Sequence, residues 1–144
     1  MPVADPREVL KRAKVVAVVG ASRNPEKDAG RVPTYLKEKG YRIIPVNPRA
    51  SEILGEKAYP SLDDIPLEVA REIDVVDVFR PPSEAVAVVE AVERLRRRTG
   101  RNDIVLWFQP GTESEEALRR AEDLGITVVY GKCMMMEHKA MTRG

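Results

Sequence analysis

The residues Val15-Val16-Ala17-Val18-Val19 are apolar at every position, and four of the five are β-branched. A strand with one face in water alternates apolar and polar residues, so an unbroken run predicts a strand covered on both faces. Parallel sheets layered between helices bury strands that way, and parallel neighbours need a long crossover, usually helical. The rest of the chain repeats the pattern. Residues 41–46, 74–79, 103–108 and 126–130 read as four further strands. Residues 30–39 read as a helix, with Pro33 tolerated near its start and Gly40 as its stop. Residues 83–98 form the longest predicted helix, and Thr112 with Glu115 reads as a capping box for another ending at Leu124. Asp5-Pro6-Arg7-Glu8 opens a short first helix with an Asp cap and proline in its first turn. Residues 53–58 read as a short strand or turn, and a methionine-rich tail closes the chain.

Five strands alternating with helices imply right-handed βαβ crossovers. The predicted architecture is α/β: a Rossmann-like, doubly wound parallel β-sheet of about five strands with helices on both faces. With 144 residues and no linker or repeat, residues 1–144 read as one domain. The 24 Lys and Arg against 23 Asp and Glu leave a formal charge of +1, without the basic excess of a polyanion-wrapping surface. Nucleic acid is therefore not the expected partner. One cysteine (Cys133) and one histidine (His138) exclude an internal disulfide framework and a zinc site built from those ligands. The N-terminus is charged from Asp5 onward, and no stretch reaches the 18 or so apolar residues of a membrane span. The expectation is a cytoplasmic protein that does not enter the membrane.

Ligands of open α/β sheets bind beyond the carboxyl ends of the strands. The residues there are Gly20-Ala21-Ser22-Arg23, Asn47-Pro48-Arg49, Phe79-Arg80-Pro81, Gln109-Pro110-Gly111 and Gly131-Lys132-Cys133. Glycine, amides and arginines suit phosphate and amide groups better than acid–base catalysis, so no catalytic residue is expected. Gly20 can turn backbone N–H groups toward an anion, supplemented by Ser22 and Arg23. The dinucleotide fingerprint is met only in part: Ser22 and Pro25 stand where its second and third glycines would fall. Arg49 follows the second strand in place of the acid that binds an unphosphorylated ribose. That favours a ribose phosphate, which NADP and coenzyme A both carry. Trp107 and Phe108, side by side at a strand end, add a candidate ring-contacting surface.

The elements AVVGAS, GYRIIPVNPRASEILGEKAYPSLDDIP, DVVDVFRPP, LWFQPG and GITVVYGKCMMMEHK follow one another in an order that resembles the stand-alone CoA-binding protein family. They are similar to the CoA-binding domain of the succinyl-CoA synthetase α subunit and of ADP-forming acyl-CoA synthetases. The resemblance implies a non-catalytic module holding coenzyme A or an acyl-CoA. Carried over residue by residue, it implies Gly20, Ala21, Ser22 and Arg23 at the pyrophosphate. It implies Asn47, Pro48 and Arg49 by the ribose phosphate and adenine, with Phe79, Arg80 and Pro81 opposite. Gln109 falls near a CoA-contacting segment, where WFQPG replaces the synthetases' acidic turn. The alternative is a small NADP-dependent oxidoreductase or redox sensor.

Other features have simpler readings. His138 reads as an ordinary packed or exposed histidine, and Met134-Met135-Met136 as packing for the last segment. Arg94, Arg96, Arg97, Arg98 and Arg101 read as a solvated helix end. Cys133 reads as a small residue of the C-terminal segment, with a mixed disulfide to the thiol of CoA as its functional alternative. A homodimer through the apolar tail, or a regulated partner enzyme, completes the expectations.

Overall fold

The computed structural model describes residues 3–143; Met1, Pro2 and Gly144, at the ends of the span read as one domain, lie outside them. In chain order the strands are β1 (Val15–Val19), β2 (Arg42–Val46), a small hairpin of β3 (Glu52–Ile53) and β4 (Glu56–Lys57), then β5 (Val75–Val78), β6 (Val105–Phe108) and β7 (Thr127–Val129). The helices are α1 (Pro6–Arg12), α2 (Asp28–Glu38), α3 (Leu67–Ala70), α4 (Ala85–Thr99), α5 (Glu115–Leu124) and α6 (Met134–Thr142). Five strands form one parallel sheet in the order β2-β1-β5-β6-β7. The order reverses between β1 and β5, as in a doubly wound Rossmann-like sheet.

Alternation along the strands divides the core in two. Ala17, Ile44, Val76, Val78, Leu106 and Phe108 pack with α3, α4 and α5 on one face, through residues such as Val89, Val92 and Ala121. Val16, Val18, Ile43, Val75, Val105 and Trp107 pack with α1, α2 and α6 on the other, against Leu10, Leu36 and Met134. Both faces are thus interior, which is why the apolar run of β1 shows no alternation. Trp107 and Phe108 are each 0% exposed, one on each face. They do not form a ring-contacting surface, because on a doubly covered sheet each side chain of an adjacent pair faces inward. The Trp107 indole N–H donates to the Lys132 carbonyl at 2.8 Å.

Several local expectations change. Asp5 caps α1 by accepting from the Arg7 N–H, as its sequence predicts. The cap of α5 is Ser114, whose hydroxyl oxygen accepts from the Ala117 N–H, while the Thr112 hydroxyl donates to the Gln109 carbonyl. The methionine-rich tail is a helix, α6, docked on α1 and α2. Arg94, Arg97 and Arg98 at the end of α4 are exposed, as a solvated helix end requires, yet the arginines there carry partners. Arg94 pairs with Asp63 and Arg96 with Glu93, and Arg98 donates to the carbonyls of Ile65 and Leu62. Among the described residues no helix is long and apolar enough to cross a membrane.

Candidate functional site

The loops after β1 and β5 lead in opposite directions across the sheet, and the crevice opens between them at the carboxyl ends. Gly20 holds a positive φ of +87°. A Cβ there would lie 2.8 Å from both the Phe79 carbonyl oxygen and Arg80 Cδ. Its N–H donates to the Val46 carbonyl at 2.9 Å, so this turn is locked against both neighbouring strands.

The loop is also tied to α2. Pro33 has no N–H to give the Ala29 carbonyl, the usual partner four residues back. The Ser22 N–H takes that carbonyl at 3.0 Å. The proline read as merely tolerated therefore opens an acceptor that anchors the loop. Gly30 completes the fit, since a Cβ there would come within 2.2 Å of the Asn24 carbonyl oxygen. The N–H groups of Ala21 and Arg23 make no hydrogen bond among the described residues. The first N–H groups of α2, an eleven-residue helix, have no side-chain cap.

Asn47 is engaged within the protein through both ends of its amide. Its Nδ2 donates to the Ala21 carbonyl at 2.8 Å and its Oδ1 accepts from the Arg49 N–H at 2.7 Å. It holds two loops together rather than facing the crevice as a spare amide. Pro48 and Arg49 beside it are exposed, as is Arg23. Across the crevice Arg80 Nε and Nη2 donate to the two carboxylate oxygens of Glu84 at 3.0 and 2.6 Å. That bidentate bond holds the Glu84 carboxyl below its ordinary range. Pro81 leads into a 3-10 turn over Pro82–Glu84 ahead of α4.

Two cavities meet at Arg80. One, of about 220 Å³, is an apolar slot between Val19, Val46, Pro48 and Leu62 on one side and Val88 and Ala91 of α4 on the other. The second, of about 440 Å³, is walled by Phe79, Pro82, Gln109, Thr112 and Cys133 and reaches Asp28 and Ala29 at the start of α2. Gln109 is only 5% exposed, and its Oε1 accepts from the Met134 N–H at 3.0 Å, capping α6.

The structure thus brings Gly20, Pro48 and Arg80 around the slot, and Phe79, Arg80, Pro81 and Gln109 around the larger cavity. Ala21 is buried behind the loop, and Ser22, Arg23 and Arg49 stand on neither wall. Glu84, Gly30 and the small residues of α4 were missed in the sequence. Glu84 had a readable signal, lying four residues after Arg80, the spacing of a helical ion pair. Behind the site lies Asp77 of β5, 0% exposed, whose carboxyl oxygens find no hydrogen-bond partner among the described residues. Burial pushes its carboxyl well above the ordinary value.

Comparison with known proteins identifies the family. Residues 14–139 match the family model described as the CoA binding domain. The uncharacterized protein YneT of Bacillus subtilis is 37% identical over 135 residues, covering 94% of this chain and 93% of that protein. A hypothetical protein of known structure from Pyrococcus horikoshii superposes with a TM-score of 0.82 at 43% identity, over 96% of this chain and 90% of that one. An ADP-forming acetate–CoA ligase of Archaeoglobus fulgidus is 48% identical over 65 residues, which are 44% of this chain but 10% of the ligase. Sequence, sheet order and crevice converge, and the chain belongs to the CoA-binding domain family, related to the CoA-binding region of ADP-forming acetate–CoA ligases.

Proposed function

We propose that the chain binds coenzyme A or an acyl-CoA reversibly in this crevice, as one unit in the cytoplasm and without catalysis of its own. The observation that carries the reading is the pair of cavities meeting at Arg80 beneath a loop with unengaged N–H groups. The residues present fit the ligand. When bound, CoA supplies a nucleotide with a ribose phosphate and a long amide-bearing arm ending in a thiol.

The Arg23 N–H and the Ser22 hydroxyl receive the pyrophosphate at the positive end of α2, with Ala21 packed behind them. The slot walled by Pro48, Leu62 and Val88 takes the adenine, with Arg49 and Arg23 directed to the ribose phosphate. Phe79, Pro81 and Gln109 border the arm. Asn47 acts indirectly, by keeping Ala21 and Arg49 in register. Glu84 and Asp28, the carboxylates on the cavity walls, are paired with Arg80 and Arg31. Paired in this way they suit electrostatic balance better than proton transfer.

The test is thermal unfolding with CoA, dephospho-CoA, NADP and NAD. A ligand at 100 times its dissociation constant adds about 2.7 kcal/mol, a rise of at least roughly 5 °C for this size. The expected result is a shift with CoA that shrinks with dephospho-CoA, and a shift with NADP alone overturns the reading. In Arg49→Ala, loss of a charge-assisted bond worth about 1.5–3 kcal/mol weakens CoA binding about ten- to a hundredfold. Unchanged affinity in calorimetry removes Arg49 from the site.

A further inference from the structure

We propose that Cys133 forms a mixed disulfide with the thiol end of the nucleotide, so that the protein captures the oxidised, disulfide form of CoA. This rests on the CoA reading above and adds a covalent step to it.

Two independent observations meet in the larger cavity. The first is Cys133 itself, the chain's one cysteine, half-buried on the cavity wall. It is the N-cap residue of the nine-residue α6, and its side chain makes no capping hydrogen bond. The start of α6 turns its positive dipole end toward this sulfur. The second is Gln109, 95% removed from solvent yet lining the same cavity. Its Oε1 is held by the Met134 N–H at 3.0 Å, whereas its Nε2 makes no hydrogen bond among the described residues. Turning the amide over would undo the cap of α6, so the donor stays directed into the cavity. A donor fixed at the cavity wall suits an acceptor such as an amide carbonyl. An arm that carries amide carbonyls and ends in sulfur answers both groups at once. The cavity adjoins the nucleotide slot at Arg80, so an arm leaving the slot has a direct way in.

The step balances without an outside oxidant beyond the disulfide itself. The Cys133 thiolate attacks one sulfur of CoA disulfide; a new S–S bond forms as the old one breaks. The electron pair leaves on the second CoA sulfur, which takes up the proton that Cys133 gave up, and free CoA departs. Excess thiol reverses the exchange.

The experiment incubates the reduced protein with CoA disulfide or with glutathione disulfide at equal concentration and follows intact mass. The expected result is one CoA adduct, removed by dithiothreitol, forming at least about tenfold faster than the glutathione adduct, because prior binding raises the local concentration of the disulfide. Adenosine 3′,5′-bisphosphate in excess abolishes that preference. Calorimetry with reduced CoA on the wild type and on Cys133→Ser separates the two layers. If CoA binds and the two disulfides react equally, or no adduct forms, the inference is overturned and the CoA reading stands. If CoA does not bind the wild type, the CoA reading fails and this inference with it.

Discussion

Gly30 lies in the first turn of α2, where alanine is ordinarily worth about 1 kcal/mol more than glycine. Here the sign reverses, because a Cβ would sit 2.2 Å from the Asn24 carbonyl oxygen and 3.0 Å from that of Ser22, both rigid backbone. Gly30→Ala is expected to destabilise by about 1–3 kcal/mol, the usual cost of overpacking. Urea unfolding checks it, and an unchanged midpoint would mean that the loop yields. Asp77 is the second residue that departs from ordinary expectation. Its carboxyl, buried without a side-chain partner among the described residues, has a raised folded value. Below about pH 4 it is protonated in both states, and above that only the unfolded chain ionises, until the pH reaches the folded value. Wild-type stability is therefore lost as pH rises, at about 1.4 kcal/mol per unit over that window. Asp77→Asn lacks this loss, so its advantage over wild type grows from pH 4 upward. A difference between the two proteins that does not vary with pH from 4 to 7 contradicts the unpartnered carboxyl.

At the scale of elements, α6 shows how helices can be hidden in a sequence. Its residues Met134–Thr142 include good helix formers, but no side chain at its start supplies a cap. The cap is Gln109, 25 residues earlier and on a different loop. His138, placed by the sequence in an undefined tail, is 7% exposed between α6 and α2. Its Nδ1 lies 2.7 Å from the Tyr35 hydroxyl, and Tyr35 and Tyr41 meet its ring edge-on. Burial, with a smaller push from the Lys39 charge, lowers its pKa. A lowered value means that the neutral ring's contribution is present above about pH 6.5 and is lost as pH falls from there through the folded value. Hydrogen exchange should report weaker protection of α6 in that window. His138→Gln is expected to remove the pH dependence, and its persistence there would assign it to another group.

For the molecule as a whole, the order β2-β1-β5-β6-β7 gathers five loops at one end of the sheet and leaves the other end to structural contacts. At that far end Asp74 accepts from the N–H groups of Lys14 and Val15 and pairs with Arg101. Hydrogen exchange with and without CoA should accordingly gain protection in residues 20–24, 47–49, 79–82 and 109–112. The strand starts near Lys14, Asp74 and Asp103 should not change. Protection concentrated at those starts would move the site to the wrong end of the sheet.

The sequence by itself determined the strands, the alternation with helices, the doubly covered sheet and the resemblance to CoA-binding proteins. These follow from local spacing: the unbroken apolar run of β1, the Asp5 cap and the glycine stops at 40 and 125 act within a few residues. It also named the loops that line the candidate crevice, because loops after parallel strands share one end. Only the tertiary structure decided what each residue there does. Asn47 became a clamp, Gln109 a helix cap and Arg80 half of an ion pair. Pro33 and Gly30 became the anchors of a distant loop. The physical reason is that periodicity is written in neighbouring positions. Hydrogen bonds between loops and the space left between them depend on which strands lie side by side, and that is settled only when the whole sheet closes.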